Sequence, residues 1–202
     1  MNYQIVLDET LKNLNGKKKL LLHACCAPCS SYVIEYLSKY FDITILYYNP
    51  NIDTLDEFNK RLSELKRFVK EFKTENPVKV VSLGYDNLEY IKEIKGLEEE
   101  IEGGSRCFKC FKQRLTKSCL YAKNNQFDFF TTTLTISPLK NSKVINEIGA
   151  SLEKEYNMPY LYSDFKKREG YKRSIVLSKK YNLYRQDYCG CKFSKRRKEN
   201  YE

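Results

Sequence analysis

The stretch Leu20-Leu21-Leu22-His23-Ala24-Cys25-Cys26-Ala27-Pro28-Cys29-Ser30 decides the fold. Its short apolar run reads as a buried strand, and the run breaks at a turn that carries three thiols. From Ser31 to Tyr40 the spacing becomes helical, with Val33, Ile34 and Leu37 on one face. Strand, turn and helix in this order form the first unit of an alternating α/β chain.

The alternation continues outward. Ile43 to Tyr48 reads as a second strand, ended by Asn49-Pro50-Asn51. Asp53 or Thr54 can cap a long helix reaching about Phe72, and Asp86 a shorter one through Lys95. Between them, Val78 to Leu83 reads as a third strand. Gly103-Gly104-Ser105 leads into Cys107 and a helix to about Lys123. Phe127 to Thr133 is the expected fourth strand, Asn141 to Tyr156 a helix, Tyr160 to Tyr162 a fifth strand and Ser174 to Lys180 a last helix. The pattern predicts an α/β fold: a three-layer sandwich with a mostly parallel sheet and a helical C-terminal part. A chain of 202 residues suits a single domain over residues 1–202.

The chain has 36 Lys and Arg against 26 Asp and Glu, a net charge of +10. That excess favours an anionic partner, of which nucleic acid is the commonest, although a solvated lysine-rich surface accounts for it too. No apolar run approaches the ~18 residues of a membrane helix. The N-terminal stretch lacks the shape of a signal peptide, so the expected location is the cytoplasm, without a membrane segment. Disulfides are disfavoured there, and clustered cysteines point to metal or redox chemistry.

Seven of the eight cysteines fall into three groups: Cys25, Cys26 and Cys29; Cys107 and Cys110; Cys189 and Cys191. The first group occupies the turn at the carboxyl end of a strand, where open parallel sheets bind ligands. A helix N-terminus favours thiolate, the form that binds metal. Adjacent Cys25 and Cys26 are expected to point in different directions and to serve different centres, while Cys29 can swing back toward the loop. The spacing of Cys107 and Cys110 puts both sulfurs on one face of a helical turn, and Gly190 lets the backbone fold around a metal between Cys189 and Cys191. One zinc ion or one cubane cluster takes about four thiolates, so three remain for a second centre. Structural zinc remains an alternative for these groups. Cys119 lies on the apolar face of its helix and reads as a buried structural thiol.

Taken in order, several motifs resemble the QueH-type epoxyqueuosine reductases. They are His23 to Ser30, Tyr48-Asn49-Pro50-Asn51-Ile52, Arg106-Cys107 with Cys110 and Arg114-Leu115, Phe129 to Pro138, Asp164-Phe165-Lys166-Lys167, and Leu183 to Gln186 with Tyr188-Cys189-Gly190-Cys191. The resemblance spans roughly residues 18 to 198. It implies a fold related to the adenine nucleotide alpha-hydrolase (HUP-like) group. It implies cobalamin-independent reduction of epoxyqueuosine to queuosine at the tRNA wobble position, with an unidentified electron donor. It also implies a [4Fe-4S] cluster beside a second metal ion, iron or zinc, with ligands among Cys25, Cys26, Cys29, Cys107, Cys110, Cys189 and Cys191 and with Asp164 as the nominated carboxylate.

The chemistry permits a cluster to relay electrons singly and a second metal to act as a Lewis acid toward the epoxide oxygen. Asp164, Tyr188 and His23 are the candidate proton donors, with His23, the only histidine, also readable as a hydrogen-bond partner of a sulfur. Thr131, Thr132, Thr133 and Ser137 could bond the substrate's ring hydroxyls, or reflect strand propensity alone. Asn49 and Asn51 could reach a base or ribose, or serve the turn. Glu57 and Arg61, four apart on a helix, have the spacing of a surface bridge, and Arg61 is also a candidate tRNA contact. Arg114 and Arg185 stand beside cysteine groups as electrostatic candidates. Lys166, Lys167, Arg168, Lys172, Arg173 and Lys195 to Lys198 could form a tRNA track, with the target base leaving its loop.

Two other readings compete. A zinc-stabilised RNA-binding protein would keep every thiol structural. An ATP-using tRNA-modifying enzyme of the same fold would need a phosphate loop after the first strand, where this chain has Cys-Cys-Ala-Pro-Cys.

Overall fold

A computed structural model describes residues 1–195. Arg196, Arg197 and Lys198 of the expected tRNA track lie outside the described residues. Four strands, β1 (Lys18–His23), β2 (Phe41–Tyr47), β3 (Val78–Ser82) and β4 (Phe129–Thr132), form an all-parallel sheet in the order β3-β2-β1-β4. The helices are α1 (Tyr3–Lys12), α2 (Ala27–Leu37), α3 (Leu55–Glu71), α4 (Asn87–Glu93), α5 (Ser105–Asn124), α6 (Ser142–Tyr156), α7 (Gly170–Lys180) and the short α8 (Lys192–Lys195). A 3-10 turn, Thr133–Ile136, follows β4 directly.

The strand alternation builds the three layers. Leu20, Leu22, Ile43, Ile45 and Tyr47 face one cluster, where Val33, Ile34 and Leu37 of α2 and Phe58, Leu65 and Phe68 of α3 cover them. Leu21, Leu46 and Phe130 face the other, against Phe111 and Leu115 of α5 and Ile145 and Leu152 of α6. Each such side chain contributes about 1.5–3 kcal/mol when fully withdrawn from water. The expected three-layer α/β fold is present, consistent with a HUP-like arrangement.

The elements depart most from the sequence expectations at four places. Helix α2 starts at Ala27, before Ser31, because Pro28 supplies a helical φ in the first turn, where no amide donor is needed. Helix α7 starts at Gly170, before Ser174. The expected fifth strand is a single parallel bridge between Phe130 and Tyr160. Beyond it the Asn146 side chain captures the amide of Ser163 at 3.0 Å and draws the chain off the sheet. Helix α1, which the apolar pattern did not single out, docks through Leu7 and Leu11. No helix among the described residues is long and apolar enough to cross a membrane.

Candidate metal centre

The carboxyl ends of β1, β2 and β4 converge on the cysteine turn. Cys26 is the residue before α2, fully extended, and its side chain makes no capping bond. The sulfurs of Cys25, Cys26 and Cys29 all lie within 4.8 Å of one another, with Cys25 and Cys26 at 3.7 Å. Their adjacency in sequence predicts divergence. The sharp change from extended backbone into the first helical turn instead brings both thiols, and Cys29, to one point. Hydrogen bonds from Cys26 and Cys29 hold the Cys25 thiol well below its ordinary value, against burial, with Lys140 and Arg114 adding to the effect. Cys26 is correspondingly pushed up to about 12, chiefly by its bond to Cys25, and Cys29 is raised by both neighbours.

A second set forms where α5 meets the C-terminal turn. Cys107, Cys110, Cys189 and Cys191 line one small cavity together with Asn51. The Gly103 amide donates to the Cys107 sulfur at 3.2 Å, and burial pushes Cys110 up to about 12. Gly190 sits at φ +110°, and its carbonyl accepts from the Asp53 amide at 2.9 Å. An added Cβ there would stand 3.1 Å from both Arg61 Nη1 and Ile52 Cγ1.

Arg61 explains the shape of that turn. Its side chain is 1% exposed and its Nε donates to Glu57 at 2.6 Å. Nη1 donates to the Cys189 carbonyl at 3.3 Å, and the guanidinium lies 5.1 Å from the Tyr188 ring centre. The Glu57–Arg61 pair is therefore an interior brace rather than a surface bridge. The i, i+4 spacing alone carries no information about which face is covered.

Between the two sets lies Arg114, which is 1% exposed. It donates to Asn49 Oδ1 at 2.6 Å, to His23 Nε2 at 3.2 Å and toward the Cys110 sulfur at 3.9 Å. No carboxylate pairs with it among the described residues. Burial and the Arg114 charge push His23 down to about 3, so its ring is neutral. Its Nδ1 lies 2.8 Å from the Thr132 hydroxyl. Asn49 also donates to the Ala24 carbonyl at 2.9 Å, which ties the second strand's loop to the cysteine turn.

A larger cavity of about 330 Å³ opens onto both sets. Cys25 and Cys29 line it from one side and Cys189 from another, and Ser137, Lys140, Tyr171, Arg185 and Tyr188 also face it. The sequence reading does not single out Lys140 or Tyr171, since a lone lysine in a loop and a lone tyrosine on a helix leave no periodic signal.

The remaining nominees are dispersed. Asp164 pairs with Lys166 at 2.5 Å and accepts from Ser142 at 3.2 Å, and it lines neither thiol cavity. The Tyr188 hydroxyl donates to Asp53 at 2.9 Å, and burial followed by that carboxylate raises its pKa. Thr131 donates to the Leu161 carbonyl at 2.8 Å, while the Thr133 hydroxyl lies 4.0 Å from the Cys25 sulfur. Arg185 donates to Ser178 at 3.3 Å. Of the basic track, Arg168 pairs with Asp8, Lys172 with Glu169, Arg173 with Glu35 and Lys195 with Asp53. All eight cysteines are free, and Cys119 is buried with its sulfur 3.9 Å from the Leu152 carbonyl.

The donor chemistry fits metal. Tetrahedral thiolate sites with bonds near 2.3 Å separate their sulfurs by about 3.8 Å, close to the spacing of Cys25 and Cys26. A buried guanidinium without a carboxylate needs anions nearby, and ligating thiolates supply them.

The family model described as epoxyqueuosine reductase QueH matches residues 20–197. The epoxyqueuosine reductase QueH of Streptococcus pyogenes serotype M1 is 44% identical over 199 residues, covering 96% of this chain and 78% of the relative. That of Staphylococcus epidermidis is 43% identical over 201 residues, covering 96% and 84%. The Thermotoga maritima protein of the same description is 32% identical over 179 residues, covering 87% and 89%.

Proposed function

The chain belongs to the epoxyqueuosine reductase QueH family, and from that premise we propose that it reduces epoxyqueuosine to queuosine at the wobble position of tRNA in the cytoplasm, as a single domain. The observation that carries this reading is one cavity faced by thiols of both cysteine sets. Cys107, Cys110, Cys189 and Cys191 have the ligand number of a [4Fe-4S] cluster, and Cys25, Cys26 and Cys29 would hold a second metal, iron or zinc, with a coordination position left over. Bound there, such centres supply single electrons and Lewis acidity, fed by an electron donor of the cell.

The chain's own residues shape the reaction space. Arg114 spans the two sets and balances their negative charge from a fixed position, held by Asn49 and His23. Arg61 and Glu57 hold the Cys189–Cys191 turn. Tyr171 lines the cavity and offers its ring to a base that has left its loop. Arg185, largely exposed, is placed for a phosphate. Asp164, engaged by Lys166 and Ser142, serves the loop before α7 rather than a metal.

The test is anaerobic purification, reconstitution with iron and sulfide, and metal counting. Addition of dithionite and epoxyqueuosine-containing tRNA follows, with queuosine sought in the nuclease digest. A brown protein that forms queuosine supports the reading. A colourless zinc protein, inert after reconstitution, would leave a zinc-stabilised RNA-binding module instead.

A further inference from the structure

The reaction needs a group that receives the oxygen. Removing an epoxide oxygen as water breaks two C–O bonds, leaves a C=C bond, and takes up two electrons and two protons. Negative charge gathers on the oxygen as the first C–O bond breaks, and a cation preorganised there lowers the barrier. None of the three residues nominated for donation offers a free group to the cavity. The two ring nitrogens of His23 are engaged by Thr132 and Arg114. Asp164 is bonded to Lys166 and Ser142 and lines neither cavity. The Tyr188 hydroxyl is committed to Asp53.

Lys140 remains. It lines both thiol cavities, as do Cys189, Glu102, Leu139 and Ser194, and among these it is the one cation. Its backbone is fixed on both sides. The Lys140 amide donates to the Ser137 carbonyl at 3.2 Å, and the next residue, Asn141, caps α6 through its side chain. Its ammonium has no carboxylate within 4.0 Å and no hydrogen-bond acceptor among the described residues. A partly buried cation that lines two thiol cavities without a partner among the described residues is costly to maintain unless a ligand uses it.

We propose that Lys140 is a catalytic residue that donates a hydrogen bond from its ammonium to the epoxide oxygen and holds the charge that develops there as the C–O bond opens. The role rests on the reductase reading above. Electrons come from a one-electron donor, dithionite in the assay, and both protons from water, so Lys140 stays an ammonium throughout.

The test uses the full chain, reconstituted anaerobically, as wild type, Lys140→Met, Lys140→Arg and Tyr171→Phe. Lys140→Met keeps the length and removes the charge. It is expected to lower kcat about 100-fold, with KM for tRNA within about threefold, as for loss of one preorganised donor. Iron, sulfide and the visible spectrum should match wild type, and Lys140→Arg should recover most of the lost rate. Without reductant, wild type should bind epoxyqueuosine tRNA about tenfold more tightly than queuosine tRNA, and Lys140→Met should lose that preference. The proposal is overturned if Lys140→Met turns over at the wild-type rate, if it loses iron, or if Tyr171→Phe alone abolishes turnover and the binding preference. If wild type itself forms no queuosine, the reductase reading fails and this role falls with it, an outcome separable from failure of Lys140 alone.

Discussion

Arg61 Nη1 donates to the carbonyl of Cys189 at 3.3 Å from a side chain only 1% exposed. A charged residue on a long helix thereby holds the backbone of a thiol-bearing turn 128 residues away in sequence. Removing it leaves Glu57 with only the Tyr184 hydroxyl as a side-chain partner and frees the turn. Arg61→Ala should lower the stability of the apo protein by about 3 kcal/mol in urea unfolding. A loss below about 0.5 kcal/mol would mean that the pair behaves as a surface bridge after all.

Gly190 has little room for a side chain. Its φ of +110° opposes substitution, and so does the 3.1 Å approach of Arg61 and Ile52 to the place a methyl would take. Gly190→Ala should cost about 1–3 kcal/mol and reduce the iron retained after reconstitution. Full iron with unchanged stability would contradict the tight turn.

Asn49 bridges Arg114 and the Ala24 carbonyl. In Asn49→Leu both partners stay buried without replacement, at a cost of about 1–3 kcal/mol for each group left unpaired. Thermal unfolding of the apo protein would register this. If Asn49 instead contacts the substrate from an open position, stability will hold and only KM will rise.

Metal content separates the cysteines and Asp164. Serine at any of Cys25, Cys26, Cys29, Cys107, Cys110, Cys189 or Cys191 should lower bound metal after reconstitution. Cys119→Ala should leave it unchanged, because that thiol packs against α6 and lines neither thiol cavity. Asp164→Asn should also keep full metal content, since its carboxylate is occupied by Lys166 and Ser142. Loss of one metal equivalent in Asp164→Asn would restore it as a ligand.

Much of this architecture was legible in local signals. Asp86 and Thr54 cap their helices where capping chemistry predicts, and the apolar runs at Leu20 and Ile43 lie in adjacent parallel strands. The three cysteine groups announced themselves through spacing. What spacing could not convey is direction and burial. Cys25 and Cys26 meet because backbone torsions turn sharply at Cys26, and no count of residues encodes that angle. Arg61 and Lys140 look like any basic residues until the C-terminal turn packs over one and the two thiol cavities open beside the other. By itself, then, the sequence determined most of the elements, the sheet class and the thiol inventory, because each follows from periodicity and residue type over a few positions. Only the tertiary structure decided which thiols share a site and which cations serve them, because those depend on contacts between segments far apart in the chain.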